Sequence, residues 1–248
     1  MVVTGVHFLD AAAPDGMRLY AIGDVHGRLD LLRAMHGQIR AELVRDEPAD
    51  WRIIHLGDYV DRGPNSKGVI AFLVDRVTED PRVVALAGNH DVNFRAFLDD
   101  GDTTGLFCRF GGIDTARSYG VEVDFSNSAA ADKSRAALAA VVPSAHKTFI
   151  EGLPRSIVFG DFFFCHAGIR PEVPLDDQDP QDLIWIRDPF LHYPGLHEKV
   201  VVHGHTPHDE AEIMANRVNL DTLAYASGRL TAFVVEGREK RLLEAGAD

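Results

Sequence analysis

The segment from Gly57 to Gly63 is the feature that most restricts what this chain can fold into. It holds two aspartates and an arginine within seven residues, between two glycines, directly after the apolar run 52–56. A short apolar run of this kind predicts a buried strand. Polar groups at the end of such a strand lie where open α/β sheets bind ligands, although a single heptad is also typical of a polar turn.

Four further segments repeat this construction, in which an apolar strand is followed by a glycine-containing turn. The candidate site residues carried by the five segments are Asp24, His26, Asp58, Asp61, Arg62, Asn89, His90, His166 and His205. Taken one at a time, each has an ordinary explanation as a turn residue, a helix N-cap or a core histidine. Their repetition at five strand ends favours one shared site.

The order of the elements predicts an α/β fold with two mixed sheets. Apolar residues at helical spacing follow each of the first three strands, which gives the pattern βαβαβα. The second half lacks this alternation, and its short apolar runs predict further strands. The predicted strands are residues 17–22, 52–56, 83–87, 155–159, 162–165, 200–202, 217–220 and 230–236. Two sheets packed face to face, with helices outside them, account for this order.

Residues 99–153 interrupt the strand pattern and predict a helical insertion. An acidic, turn-rich loop opens the insertion at 99–105, and the alanine-rich stretch 129–153 predicts helix with a break or restart at Pro143. No internal repeat or linker divides the chain. We therefore expect residues 1–248 to form a single domain, in which the insertion is a helical subdomain or a cap at most.

Charge and cysteine content restrict the partners and the compartment. The net charge of -13 argues against a general surface for nucleic acid or anionic membrane. No apolar run approaches the roughly 18 residues that span a bilayer, and no signal peptide is recognisable. Cys108 and Cys165 lack a Cys-x-x-Cys spacing, which favours a reduced environment. We expect a soluble cytoplasmic protein; the sequence leaves its oligomeric state open.

The candidate ligands are hard oxygens and imidazoles without a thiolate, a set that suits Mn²⁺, Fe or Zn²⁺. They divide into two sites that share one carboxylate, with Asp24 and His26 in the first, Asn89, His166 and His205 in the second, and Asp58 between them. A pair of divalent metals roughly 3.5–4 Å apart is the arrangement that hydrolyses phosphate esters. The residues thus predict a phosphate-ester hydrolase.

The five segments resemble the signature motifs of the calcineurin-like metallophosphoesterases. Within that superfamily they are most similar to the phosphoprotein phosphatases, particularly the bacterial and phage-lambda-type branch. The motifs are Gly-Asp-Val-His-Gly at 23–27, Gly-Asp-Tyr-Val-Asp-Arg-Gly at 57–63, Gly-Asn-His-Asp at 88–91, His-Ala-Gly at 166–168 and Gly-His-Thr-Pro at 204–207. The resemblance implies a four-layer α/β/β/α sandwich with the site on loops at the sheet edges.

The resemblance also implies roles for individual residues. A hydroxide bridging two divalent metal ions would attack phosphorus in line with the leaving group, and we expect Mn²⁺ to be the activating ion. His90 would protonate the leaving oxygen as general acid, and Asp61 would orient His90. Arg62 and Arg187 would bind the phosphoryl oxygens. The same resemblance implies the division of the six metal ligands given above.

The main expectation is a phosphomonoesterase that dephosphorylates serine and threonine in phosphoproteins. An alternative is a hydrolase of dinucleoside polyphosphates or cyclic nucleotides acting on a small phosphate ester. Asp91 favours this alternative, because phosphoprotein phosphatases usually carry Glu after the catalytic histidine. The insertion favours it as well, because it could form a cap over the site. Asp61 favours the main expectation, because the nucleotide branch resembles Gly-Asp-x-Val-Ala-Arg-Gly. A third hypothesis is a metal-bound scaffold without activity, which the intact acid and arginine residues disfavour.

Overall fold

Two five-stranded sheets form the centre of the computed structural model, which describes residues 5–100 and 105–246. In chain order their strands are β1 (Met17–Ile22), β2 (Asp50–His55), β3 (Val83–Ala85), β4 (Ser156–Phe159), β5 (Phe162–Cys165), β6 (Val200–His203), β7 (Glu212–Ile213), β8 (Arg217–Asn219), β9 (Arg229–Glu236) and β10 (Glu239–Gly246). The helices are α1 (Leu29–Asp46), α2 (Ser66–Glu79), α3 (Asn89–Asp100), α4 (Leu106–Arg109), α5 (Gly112–Ser118), α6 (Ser128–Val141), α7 (Ser144–Glu151), α8 (Asp182–Trp185), α9 (Asp188–Leu191) and α10 (Ala224–Ser227). Among these helices, none combines the length and the hydropathy needed to cross a membrane.

Each sheet contains three neighbouring parallel strands; antiparallel strands are added at one edge of the first sheet and at both edges of the second. The first sheet has the order β10-β9-β1-β2-β3, in which β1, β2 and β3 are parallel and β9 and β10 are antiparallel additions. The second has the order β4-β5-β6-β8-β7, in which β5, β6 and β8 are parallel. Carboxyl ends of parallel strands meet at one edge of a sheet, which is where the loops of a binding site emerge.

Successive side chains of the central strands point to opposite faces of each sheet, which gives three separate apolar layers. Leu19 on β1 and Phe162 on β5 belong to the core between the two sheets. Their neighbours Tyr20 and Phe163 point outward, into clusters formed with the helices on either side. The long helices α1 and α2 cover the first sheet, while the short helices α8 and α9 cover the second. The predicted fold, a four-layer α/β/β/α sandwich with two mixed sheets, is confirmed.

The insertion packs into the helical side of the first sheet. Phe107, Leu138 and Ile150 of the insertion are buried in the same cluster as Ile53 on β2. The break predicted at Pro143 separates α6 from α7. Residues 101–104 of the predicted acidic loop lie outside the described residues, and the assignment of residues 1–248 to a single domain stays a prediction.

Two strands of the structure, β7 and β10, were not predicted from the sequence. The eight residues of β10 pair with β9 through a hairpin in which Gly237 has a φ of 54°. Most of the side chains of β10 are exposed or only half-buried at the edge of the sheet. An edge strand needs no apolar alternation, so its charged sequence carries no strand pattern.

Candidate active site

Loops at the carboxyl ends of five strands bring the predicted site residues together. Asp24 and His26 follow β1; Asp58, Asp61 and Arg62 follow β2; Asn89 and His90 follow β3; His166 follows β5; and His205 follows β6. All of these residues except Arg62 are buried. Arg62 is half-buried, so its guanidinium lies on the side of the group that faces solvent.

The backbone around this group is strained. Five non-glycine residues of the site have positive φ angles, namely His26 (41°), Asp58 (53°), Asp61 (71°), Arg62 (68°) and His205 (65°). Such conformations cost of order 1–3 kcal/mol each and persist only where the surrounding structure enforces them. Their concentration in the loops of one site, drawn from both sheets, indicates that side-chain placement here has been obtained at the expense of stability.

Two glycines allow the loops to approach one another closely. A Cβ atom at Gly88 would lie 2.1 Å from Oδ1 of Asp58, and one at Gly204 would lie 1.9 Å from Oδ1 of Asp24. Real Cβ atoms do not come so close to other atoms. The glycines of these motifs therefore set the distance between the carboxylates and the neighbouring loops.

Asp58 lies at the centre of the site. Its Oδ2 is 3.4 Å from Nε2 of His26, and its Oδ1 is 3.4 Å from Nε2 of His166. The backbone N–H of His90 donates to Oδ1 at 3.0 Å. Burial opposes ionisation of Asp58, but the nearby imidazoles of His166 and His90 outweigh it and hold the pKa well below its usual range. Asp58 is therefore a carboxylate with both oxygens directed at histidines.

His26 is oriented as a ligand. Its Nδ1–H donates to the backbone oxygen of Val60 at 2.7 Å, so Nε2 keeps a lone pair, which faces Nη1 of Arg62 at 3.1 Å and lies 3.4 Å from Oδ2 of Asp58. Burial lowers the pKa of His26 to about 3. A neutral imidazole whose second nitrogen is held by a carbonyl is the usual form of a metal-binding histidine.

Asn89 links the two histidines that come from the second sheet. Its Oδ1 lies 2.9 Å from Nε2 of His166 and 2.9 Å from Nδ1 of His205. Among the described residues, Nε2 of His205 is buried without a hydrogen-bond partner. Burial lowers the pKa of His205 to about 2, so the ring is neutral; Nδ1–H faces Asn89, and Nε2 keeps a lone pair of the kind that binds metal ions.

The surroundings of His166 favour a positive charge on its ring. Both of its ring nitrogens face acceptor oxygens, since Nδ1 lies 3.0 Å from the backbone oxygen of Leu56 and Nε2 lies near Oδ1 of Asn89. Burial lowers its pKa, but the carboxylates of Asp58 and Asp24 prevail and raise the pKa to about 9. The carboxylates of Asp58 and Asp24 thus favour a positive charge between them, and a bound metal cation would provide that charge.

His90 and Asp61, to which the resemblance assigns proton transfer, are in direct contact. Nδ1 of His90 lies 2.7 Å from Oδ2 of Asp61, and the hydroxyl of Thr115 donates to Oδ1 at 2.7 Å. The backbone N–H of Asp61 donates to the hydroxyls of Thr115 and Ser66. Burial disfavours the imidazolium, but Asp58 and Asp61 outweigh burial and raise the pKa of His90. The sequence did not indicate Thr115, which comes from the insertion and is far from Asp61 in sequence.

The two predicted arginines lie on different sides of the group. Nη1 of Arg62 is 3.1 Å from Nε2 of His26, and Nη2 is 3.2 Å from Nε2 of His90. Arg187 is exposed and donates from Nη2 to the backbone oxygen of His205 at 3.3 Å. Both guanidiniums are therefore beside the candidate metal ligands, as a role in phosphate binding requires.

Asp91 has a structural task that the sequence did not predict. Its carboxylate accepts three backbone N–H groups, from Asp58 at 2.8 Å, Tyr59 at 2.9 Å and Gly88 at 3.0 Å. Burial and the nearby charge of Asp58 raise the pKa of Asp91 to about 7. The residue that distinguished two branches of the family in the sequence thus fixes the loops after β2 and β3.

The donor set fits divalent metal ions. Two groups of buried side chains have ligand atoms within 4.8 Å of one another, His26 with Asp58 and His90, and Asp24 with Asp58 and His166. Asp58 belongs to both groups, as expected for a bridging ligand. The first group contains His90, to which the resemblance assigns proton transfer, and leaves out Asp24. Burial raises the pKa of Cys165, so the nearby thiol offers no thiolate.

The fold and the site define a metal-dependent phosphoesterase. A family model described as calcineurin-like phosphoesterase matches residues 17–235. This match extends from the first strand to nearly the end of β9, and it includes all five motifs. The chain therefore belongs to the calcineurin-like phosphoesterase family.

Similar proteins come from more than one branch of that family. The asymmetrical bis(5'-nucleosyl)-tetraphosphatase PrpE of Anoxybacillus flavithermus is 27% identical over 233 residues, which cover 85% of this chain and 87% of the relative. A solved structure of a candidate diadenosine tetraphosphatase has a TM-score of 0.64 at 20% identity, covering 96% of this chain and 100% of the other. A protein serine/threonine phosphatase of Saccharomyces cerevisiae has a TM-score of 0.55 at 13% identity, covering 97% and 86%. The comparisons favour the nucleotide alternative over the expected protein phosphatase.

Proposed function

We propose that this chain is a metal-dependent hydrolase of dinucleoside polyphosphates, which cleaves a phosphoanhydride bond between two nucleotides. The observation that carries the proposal is the similarity to a bis(5'-nucleosyl)-tetraphosphatase over 85% of the chain. A similarity of this extent reaches well beyond the five short motifs, and segments outside such motifs are where substrate selection resides in folds of this kind. The motifs alone support only phosphoester hydrolysis.

We further propose that two metal ions, with Mn²⁺ as the activating ion, bind between the loops. Asp24, His26 and Asp58 would hold one ion, and Asp58, Asn89, His166 and His205 would hold the other. When bound, such ions lower the pKa of water and withdraw negative charge from a phosphoryl group. The unpartnered Nε2 of His205 and the carboxylate oxygens around Asp58 supply donors of the type this requires.

The remaining residues act on protons and on phosphoryl oxygens. Asp61 lies 2.7 Å from Nδ1 of His90 and, together with Asp58, raises the pKa of His90, which favours the imidazolium with a proton on Nε2. In the proposal His90 delivers this proton to the oxygen of the departing nucleotide. Arg62 and Arg187 bind the negative oxygens of the polyphosphate chain with their planar donors.

A second candidate is dephosphorylation of phosphoserine and phosphothreonine. Its support is the pair of His90 and Asp61, which Thr115 completes. A serine alkoxide is a poor leaving group and needs an efficient acid, whereas a nucleotide phosphate leaves with much less help. The fully formed acid pair is therefore a reason to test this activity beside the first.

The test compares both substrates on one preparation. The protein is stripped of metal, resupplied with Mn²⁺, and supplied with diadenosine tetraphosphate or a phosphoserine peptide in parallel. We expect kcat/KM to be at least tenfold higher for the dinucleotide, a difference of about 1.4 kcal/mol in transition-state stabilisation. Asp58→Asn is expected to abolish both activities. A higher kcat/KM for the peptide would reject the proposal in favour of the second candidate.

A further inference from the structure

Tyr225 is an aromatic residue beside the site. It lies on α10, in the segment that joins β8 to β9, and it is half-buried. The guanidinium carbon of Arg62 lies 5.0 Å from the centre of the Tyr225 ring. The ring of His26 meets the same tyrosine edge-on at 5.5 Å. Tyr225 thus contacts both a proposed phosphate-binding residue and a proposed metal ligand.

We propose that Tyr225 is a positioning residue that holds the guanidinium of Arg62 ready for phosphoryl oxygens. The inference rests on the proposed hydrolase function and names a component of its substrate-binding machinery. Tyr225 would act through Arg62, and it would not need to touch the substrate.

The segment that carries Tyr225 is fixed by several hydrogen bonds. Arg28 donates from Nη1 to the backbone oxygen of Ala224 at 2.8 Å. The N–H of Leu223 donates to Oδ1 of Asp221 at 3.0 Å, and the hydroxyl of Ser227 donates to the oxygen of Thr222 at 2.7 Å. Leu223 itself has a φ of 57°, a strained conformation that this anchoring maintains. The ring is therefore presented by a rigid turn.

The contacts of Arg62 show why such a support is useful. In the described part of the chain its guanidinium contacts two imidazole nitrogens, of His26 and His90, and the face of Tyr225. None of these partners carries a negative charge that would neutralise the arginine. An aromatic face attracts a guanidinium without competing for the donors that bind phosphate. The contact uses the ring face of Tyr225 and not the imidazole nitrogens, so binding of those nitrogens to other partners does not by itself remove it.

The test measures phosphate binding directly. Inorganic phosphate is titrated calorimetrically into the Mn²⁺-loaded full chain carrying Tyr225→Leu, Tyr225→Phe or no change. We expect Tyr225→Leu to weaken phosphate binding about five- to twentyfold, as for loss of a partly desolvated cation–π contact. Tyr225→Phe keeps the aromatic face and is expected to bind within about twofold of the unchanged protein. Weakening by Tyr225→Phe as large as that by Tyr225→Leu would overturn the inference.

A double-mutant cycle separates support of Arg62 from a general structural effect. In the Arg62→Ala background, Tyr225→Leu should weaken phosphate binding no further, because the residue that it supports is absent. Full additivity of the two losses would overturn the inference. So would an Arg62→Ala protein that binds phosphate normally. If Tyr225→Leu does not fold, Tyr225→Met takes its place in the same cycle.

Mn²⁺ affinity distinguishes an effect through Arg62 from one through His26. We expect the Kd for Mn²⁺ of Tyr225→Leu to stay within about twofold of the unchanged protein, because the tyrosine donates no metal ligand. Weaker Mn²⁺ binding with unchanged phosphate binding at saturating metal would overturn the inference. These measurements need no organic substrate, so they stand apart from the outcome of the dinucleotide assay.

Discussion

Two neighbouring buried histidines of the site have pKa values that are shifted in opposite directions. The rings of His26 and His90 are 4.7 Å apart and nearly perpendicular, and both are buried. The partner of Nδ1 makes the difference, because His26 donates to a carbonyl whereas His90 faces the carboxylate of Asp61. Burial lowers the pKa of His26 to about 3, while Asp58 and Asp61 raise that of His90 against its burial. The first suits a metal ligand and the second an acid.

This difference predicts how Asp61→Asn will depend on the leaving group. Removing the carboxylate lowers the pKa of His90 and depletes its acid form at neutral pH. We expect kcat to fall about 10²–10³-fold for an alkyl phosphate, whose leaving oxygen needs a proton, and less than about tenfold for para-nitrophenyl phosphate. Steady-state kinetics on both esters measures the two losses.

Asp132 offers a matched control for this prediction, since it is an exposed aspartate on α6. Asp132→Asn should leave both rates within about twofold of the unchanged protein, because substitutions of exposed residues away from the site usually have small effects. Equal losses on the two esters in Asp61→Asn would contradict the assignment of His90 as the acid.

At the scale of elements, α1 packs on β2 through a pair of histidines. The two Nε2 atoms of His36 and His55 are 3.2 Å apart, and their rings are nearly parallel. A hydrogen bond between two imidazole nitrogens requires one donor and one acceptor, so at least one ring stays neutral. Burial, together with the charge of Arg76, lowers the pKa of His36 to about 4. Burial and the neighbouring His36 lower the pKa of His55 well below its usual range.

This packing predicts a loss of stability in acid. In the unfolded chain both histidines take up protons below their ordinary pKa of about 6.5, whereas in the folded chain they stay neutral. The unfolded state then binds more protons, so the free energy of unfolding falls as pH decreases from about 6.5 toward 4. For His36 this amounts to roughly 2–3 kcal/mol over that range. Urea unfolding at a series of pH values measures the slope.

The double variant His36→Leu/His55→Leu should unfold with a weaker pH dependence between pH 7 and 4.5. His192 is an exposed histidine on the surface, and His192→Leu serves as the control that should leave the slope unchanged. If the double variant kept the full slope, the source of acid sensitivity would lie elsewhere, for example at His197, whose burial lowers its pKa to about 4.

At the scale of the molecule, the site is shared between the two sheets. Asp24, Asp58 and Asn89 come from loops of the first sheet, whereas His166 and His205 come from the second. Between the sheets lies an apolar core, and apolar packing is not directional. Metal ions bound to both sets of ligands would connect the sheets directly, so ligand binding and global stability are expected to be coupled.

Metal removal should therefore lower the melting temperature. A ligand at one hundred times its Kd stabilises the folded state by about 2.7 kcal/mol, which corresponds to a Tm increase of roughly 5–10 °C for a chain of this size. Thermal unfolding of the stripped protein, with and without added Mn²⁺, measures the shift. His205→Ala should reduce the shift by half or more.

His208 is the control for this experiment, because it lies close to His205 in sequence and its backbone N–H is bonded to Asp221. His208→Ala should keep the full Mn²⁺-dependent shift. The same loss of the shift in both variants would mean that His205 is no more a ligand than its neighbour.

The sequence by itself determined the local features of this protein. Strands such as Met17–Ile22 and Phe162–Cys165 were predicted with their observed bounds, because their apolar runs end at glycine-containing turns. The helix break at Pro143 was predicted because proline cannot continue a helix. The residue types of the candidate site were also evident, since a carboxylate or imidazole after each strand is a local pattern.

Only the tertiary structure decided which distant residues complete the site. Thr115 reaches Asp61 from 54 positions away, and Tyr225 faces Arg62 from a turn near the other end of the chain. In the sequence Asp91 was a residue that distinguishes two branches of the family. In the structure its carboxylate accepts hydrogen bonds from three backbone N–H groups of the loops after β2 and β3. Strand and turn patterns depend on neighbours in the chain, whereas these contacts depend on how two sheets and an insertion pack, which no short stretch of sequence encodes.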